Sequence, residues 1–360
     1  TDAPSTTETS KVAKASGGTF GTAPWHIDSA TRTLVIEGGT FPENSPAPWS
    51  NISGAIDKIV ITSNVTLATN SSNLFSGLSN LISIEGLNLL DTSKVISIDG
   101  MFKDDIKLQN IDLSTMKTPS LQKMNFLFSG CSALKIVNLS NFDTSKVMQM
   151  NAVFAECTSI ESLDLSSFDT SKVISMGSIF LHDKFHSLTF GNKFKFTSKG
   201  GSPALISLSK NNDYTGNWEN IDNGTPDNPK GKNVWSSSEL MSALNLSNND
   251  ADTYVWQPTQ GQPITIKYVD ESGNKLVSDD IMTGKYGMSY DTNDVASKIH
   301  IDGYSYKEVQ GNRTGTFSDQ GQTVTYVYTK DPIPAKDVTV KYVDENGKEI
   351  APTVTLTGNV

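Results

Sequence analysis

Apolar side chains return along this sequence with a fixed step. Phenylalanines stand at Phe75, Phe102, Phe128, Phe154 and Phe180, separated by 27, 26, 26 and 26 residues. Leu81, Leu108, Leu134 and Ile160 follow the first four of them in register, then Ile111, Val137 and Leu163, and turn sequences at Asp91, Lys117, Asp143 and Asp169 keep the same step. Each unit reads as a short LxxLxL strand, as in Leu134 to Leu139, then a polar turn, then apolar residues at helical spacing. Val147, Met150, Val153 and Phe154 share one helical face, and Val173, Met176, Ile179 and Phe180 repeat it. The spacing therefore predicts a short two-turn helix in every unit, N-capped by Asp143 or Thr144 and by Asp169 or Thr170. One strand and one such helix bury no core alone. Stacked coils share one, with parallel strands about 4.8 Å apart. The expectation is a solenoid of four to five coils over residues 75–191.

The flanks depart from this period. Residues 1–18 are too polar to offset the entropy of ordering and read as a disordered leader. TLVIEG from Thr33 and KIVITSNV from Lys58 alternate apolar and polar positions, which predicts an N-terminal β cap over 19–74. Residues 192–256 break the repeat and contain WSSSELMSALNL, a helix signal with Ser236 and Glu239 as a capping box. This segment is expected to close the last coil, and 257–262 reads as a linker. A second repeat then begins: ITIKYVDESGNKL from Ile264 recurs as VTVKYVDENGKEI from Val338, 74 residues on. Alternating stretches at Gly303 to Val309, Thr314 to Phe317 and Thr323 to Thr329 predict a small β-rich module over 263–331. A spacer at 332–336 leads to a truncated second copy at 337–360. The fold class is α+β.

Charge narrows the partners. Lys and Arg total 29 against 39 Asp and Glu, a formal charge of −10, which opposes nucleic acid and anionic lipid. No run of 18 apolar residues is present, so membrane insertion is not expected. The two cysteines, Cys131 and Cys157, make neither a disulfide framework nor a CxxC knuckle. They hold the same position in adjacent coils, within reach of a disulfide, and are read as free, buried thiols. Met101, Met124, Met150 and Met176 likewise share one repeat position and read as core fillers.

Candidate chemistry lies where the strand residues alternate outward. Glu85, Asp112, Asn138 and Asp164 should form one column, with Ser83, Asn110, Ile136 and Ser162 beside it. A ligand-binding face made of Glu85, Asn110, Asp112, Asn138, Ser162 and Asp164 stands against a merely solvated strand face. A largely acidic ladder repels itself and would suit a cation or a basic ligand. A glycosidase reading fails, because these carboxylates recur with the repeat and an open face separates no pair of pKa values. His182 and His186 have HxxxH spacing without the glutamate of a zinc protease, and no nucleophile elbow occurs. Asn248, Asn249, Asp250 and Asp252, and the stretch Asp213 to Asp227, offer oxygens of the kind calcium takes, without a D-x-D-x-D-G loop. Otherwise no cofactor or metal is expected. Tyr214 and Trp218 could stack on sugars, with Trp235 and Trp256 nearby, or seal the cap instead.

Two resemblances follow from these residues. FSGCSALKIVNLSNFDTSKVMQM and FAECTSIESLDLSSFDTSKVISM resemble the BspA-like leucine-rich repeats of bacterial surface proteins; one flanking unit departs, with KTPSL in place of DTSKV. Residues 262–331 and the copy from 337 resemble the MucBP (mucin-binding protein) module through IKYVDESG, GKYGMSY, GYSY, GTF and VTYVY. The resemblance implies a β-grasp-like MucBP module and a secreted, cell-wall-associated adhesin of a Gram-positive, lactobacillus-type bacterium. It further implies a non-catalytic, monomeric protein that binds host mucin glycans or an extracellular host protein. The alternative is a structural stalk that projects another domain from the wall.

Overall fold

Parallel strands stack coil upon coil, as the apolar repeat requires. The computed structural model describes residues 16–246 and 250–359; residues 1–15, most of the expected leader, lie outside the described residues. Contacts divide the chain into two units, meeting at Gln257 and Pro258. In the first, Thr33–Ile36, Lys58–Ile61 and Ser83–Glu85 pair in parallel, as do Asn110–Asp112 with Ile136–Asn138 and Ser162–Leu165 with Ser187–Phe190. A second side carries Gly39–Thr40, Val65–Thr66 and Leu90–Asp91. A third is a line of parallel bridges through Asn70, Ser97, Lys123, Gln149 and Ser175. Each coil thus turns three times around one core, giving a mostly β solenoid.

The core expectation holds. Phe75, Phe102, Phe128, Phe154 and Phe180 are all buried, their rings stacked at centroid distances of 5.9, 5.7, 5.9 and 6.2 Å. The column starts earlier than the phenylalanines suggest: Trp49 lies on Phe75 at 6.0 Å with the planes 17° apart. The strands at Thr33 and Lys58 are therefore coils of the same stack and not a separate cap over 19–74. What covers the open end is the hairpin Gly17–Phe20 with Ala23–Asp28, joined antiparallel to Thr33–Ile36. Gly17 and Gly18 pair with His26 and Trp25, so these two residues of the expected leader are folded.

The expected coil helices do not form. Residues 147–154 are one bridge residue amid irregular chain, a turn and a bend, because two positions in each coil of the phenylalanine column require left-handed backbone. Gly100, Phe126, Ala152 and Ser178 occupy one of them and Asp104, Gly130, Glu156 and His182 the other, with φ between 51° and 81°. No right-handed helix survives two such residues four apart. Val147, Met150, Val153 and Phe154 are buried all the same, so stacked turns reproduce an apolar period that imitates a helix. Thr144 is accordingly no N-cap. Its buried hydroxyl joins coils, donating to the Asp169 carbonyl at 3.0 Å and accepting the Asp169 N–H at 2.8 Å. Thr118 and Asp143 repeat the exchange at 3.0 and 2.9 Å. A parallel ladder runs along the third side: Asp99 Oδ1 accepts the Asn125 N–H, Asn125 Oδ1 the Asn151 N–H, and Asn151 Oδ1 the Gly177 N–H, at 2.7, 2.9 and 2.8 Å. The enclosed polar groups of these two ladders are satisfied by the next coil.

Over the last coil, Thr253–Pro258 pairs antiparallel with Ser187–Phe190, and Tyr214–Asn220 and Val234–Trp235 extend the sheet. The helix Ser237–Leu246 lies on it and buries Leu240 and Leu244. Ser236 N–H and Oγ–H both reach Glu239 Oε2, at 2.8 and 2.7 Å, and the Glu239 N–H returns to Ser236 Oγ at 3.3 Å, a reciprocal capping box.

In the second unit Ile264–Asp270 and Gln322–Lys330, the first and last strands of a four-stranded sheet, lie parallel at its centre. Asp280–Met282 and Tyr304–Gln310 pair antiparallel at the edges. The short helix Asn293–Ala296 and the pair Ser289–Asp291 with Thr314–Thr316 help to enclose Ile264, Ile266, Tyr268, Phe317, Val324 and Tyr326. This is the β-grasp-like arrangement. Residues read as a linker are tied in: the Gly261 N–H donates to Gly284 and the Gln262 N–H to Ser318, at 3.0 and 2.7 Å. The second copy forms the hairpin Val338–Val343 with Glu349–Leu356, and its pairing of Val338 with Leu356 matches that of Ile264 with Met282. Among the described residues no helix is long and apolar enough to cross a membrane.

Candidate functional site

Strand alternation carries the polar positions outward as the sequence predicts. Asn110 and Asp112 are exposed around buried Ile111, and Ser162 and Asp164 around buried Leu163. Register aligns Asn110 with Ile136 and Asp112 with Asn138, and continues Ser162 and Asp164 onto Ser187 and Thr189. Glu85 is exposed and ion-paired with Lys58 at 2.6 Å.

Local turns explain much of this column. Asp112, Asn138 and Asp164 each accept, through Oδ1, the N–H of a serine two residues on (Ser114, Ser140 and Ser166) at 2.9, 3.2 and 2.8 Å. The Ser114 hydroxyl and N–H, followed by the Asn138 side chain, hold the Asp112 carboxyl below its ordinary range. An amide thus stands between Asp112 and Asp164, two of the three carboxylates of the expected acidic ladder, and separates their charges.

Ile136 is different. It is 62% exposed, while its neighbours in the same column are Asn110 and Ser162. It sits in a shallow hollow with Lys135, Val137, Ser159, Glu161, Ser162 and Asp164. Lys135 and Glu161 were not singled out in the sequence, although each stands directly before an outward strand residue.

Other candidates fall elsewhere. Trp218 is fully buried, between half-buried strand neighbours, and donates its Nε1–H to Ser237 Oγ at 3.0 Å, so it stacks on no sugar. Tyr214 is half-buried and packs edge-on to Trp256 at 5.3 Å, with His186 against the same indole at 4.0 Å. His182 contacts Glu156 instead of joining His186. Cys131 and Cys157 are free and buried. Of the oxygens considered for calcium, Asn248 and Asn249 lie outside the described residues. Asp250 Oδ1 accepts from Asn233, and Asp252 Oδ2 from Asn220 and the Asp222 N–H. Among the described residues no group of three or more His, Cys, Asp or Glu is placed to hold a metal ion.

Comparison with known proteins gives the same two parts. Residues 263–329 and 337–360 match the MucBP domain, and residues 50–136 and 110–192 match a family described as Mycoplasma protein of unknown function, DUF285. Internalin J of Listeria monocytogenes serotype 4b (strain F2365) is 39% identical over 138 residues, 38% of this chain and 13% of its own length. Internalin I of the same strain is 33% identical over 100 residues, 27% of this chain and 5% of its own. The chain therefore spans only a small part of the length of these relatives. A crystal structure described as Mub-RV aligns over 27% of this chain and 59% of its own at 23% identity, with a TM-score of 0.19. No match named here is to a catalytic family. The chain thus joins a leucine-rich-repeat-type solenoid, similar to a part of the internalins, to segments that match the MucBP domain.

Proposed function

We propose that this chain is a non-catalytic, cell-wall-associated adhesin and that the outward strand face around Ile136 contacts an extracellular host ligand, a mucus glycan or a surface protein. One observation carries the site. Asp112, Asn138 and Asp164 have turn-forming work, and serine or asparagine suffices at the flanking column positions, but folding gives no reason for an exposed isoleucine at 136. An exposed isoleucine beside Val137, ringed by Lys135, Glu161, Ser162 and Asp164, is the composition of a small contact centre with a polar rim. The dense ties between coils support the second reading, a rigid spacer that binds nothing itself.

Binding of the full chain to immobilised mucin and to epithelial surface protein separates the two. Saturable binding that falls at least about tenfold, roughly 1.4 kcal/mol, in Ile136→Ser supports the face, since a central contact carries that much. Its melting temperature should stay unchanged, because Ile136 is outside the core. Binding that survives Ile136→Ser overturns this site, and no binding by the parent chain leaves the spacer.

A further inference from the structure

Three residues beyond each buried phenylalanine runs a second inward column: Leu78, Asp105, Cys131, Cys157 and Asp183. All five are buried, Asp105 at 0% and Asp183 at 1% exposure. The two thiols behave alike. Cys131 Sγ donates to the Phe102 carbonyl at 3.0 Å and Cys157 Sγ to the Phe128 carbonyl at 3.2 Å, each one coil back. The column position thus has a recurring task, to give a proton to the phenylalanine carbonyl of the preceding coil.

Both carboxyls occupy that position. Asp105 Oδ1 accepts the Leu78 N–H at 2.8 Å, and Asp183 Oδ1 accepts the Cys157 N–H at 2.9 Å. Their Oδ2 atoms are buried and have no donor. An ionised oxygen there has nothing to compensate it. Asp104 and Cys131 face Asp105, and Glu156 and Cys157 face Asp183, none of them a cation. Lys103 is drawn to Asp104, and His182 to Glu156, both at the surface. The segment stacked beyond Asp183 contributes Ser202 and Pro203, which are uncharged.

We propose that Asp105 and Asp183 are carboxylic acids in the folded solenoid, their Oδ2–H donating to the Phe75 and Phe154 carbonyls as the thiols do in the coils between. The solenoid then loosens as the external pH rises through neutrality. Burial, the largest cause, pushes the Asp183 carboxyl up to about 8 and holds Asp105 well above the usual range. In the unfolded chain both titrate near about 3.9. Their folded pKa values are raised, so the folded form binds more protons: this stability is complete below about pH 4 and is lost as pH climbs through about 8. Asp143 and Asp169 on the outer turns are held low, by serine hydrogen bonds opposing their partial burial, and act in the opposite sense only in stronger acid.

The test is the melting temperature of the solenoid in the full chain at pH 5 and pH 8. The parent should melt several degrees lower at pH 8, and Asp105→Asn/Asp183→Asn should remove most of that difference. Should the amides fail to fold, Asp183→Cys inserts the residue the neighbouring coils already use and should halve the pH dependence. Independently, infrared spectra of the unmutated chain at pH 6 should show the carbonyl band of protonated carboxyl. A parent whose melting is equal or higher at pH 8, a variant that keeps the full parental pH dependence, or the lack of that band would overturn the proposal.

Discussion

The two units hide their apolar surface in opposite ways. In the solenoid each strand meets partners one coil away, Asn110 with Ile136 and Ser162 with Ser187, and each Phe column ring stacks on the ring of the next coil. In the MucBP module the central pair joins the first strand to the last, Ile264 to Gln322, across everything between them. Solenoid order is therefore a sum of neighbour terms, while the module forms as a whole or not at all. The two KYVDE copies sharpen the lesson. Their hairpins share one register, yet Ile264, Ile266 and Tyr268 are buried under the rest of the first module while Val338, Tyr342 and Leu356 remain exposed. Local sequence sets the pairing, and distant strands supply the burial.

Substitutions can break this contrast, and the largest effect belongs to the ring column. Phe128→Ala removes a fully buried ring between two others and should cost about 3–5 kcal/mol. Residue-resolved hydrogen exchange should show lost protection centred on the coils of Phe102 and Phe154, with the module untouched; a drop in module protection would refute independence of the units. Next, Ile266→Ala in the central strand should cost about 2–4 kcal/mol and lower protection evenly across all four strands of the sheet. Protection lost only beside Ile266 would show that the module is not cooperative. Smallest is Thr144→Val, which keeps the shape but strands the Asp169 N–H and carbonyl, at about 1–3 kcal/mol. Its effect should stay between the coils of Thr144 and Thr170.

Much of this was legible beforehand. A step of 26 residues announces stacked coils, and Ser236 with Glu239 announces a helix start, because both are local or strictly periodic signals. The missing helices were not legible, since left-handed backbone at Phe126 or Ala152 has no residue signature of the kind glycine offers at Gly100 and Gly130. The early coils hid for another reason: they lack DTSKV, and Trp49 stands where later coils have Phe, although it lies 26 residues before Phe75. At the strand face, alternation placed Asp112 and Asp164 correctly but could not tell a turn-forming oxygen from a ligand contact. For Trp218 sugar stacking and sealing of the cap both stood open, because a polar, Asn-rich neighbourhood does not reveal that this position of the strand faces inward.

The tryptophan that heads the ring column also partitions the chain's optical signals. Trp25 and Trp49 lie at one end of the solenoid and Trp218, Trp235 and Trp256 at the other, whereas no tryptophan follows Pro258. Indole emission therefore reads fraying at the two ends of the coil stack and is blind to the MucBP unit, where tyrosine absorbance dominates. One unlabelled sample can thus yield separate unfolding curves for its two halves.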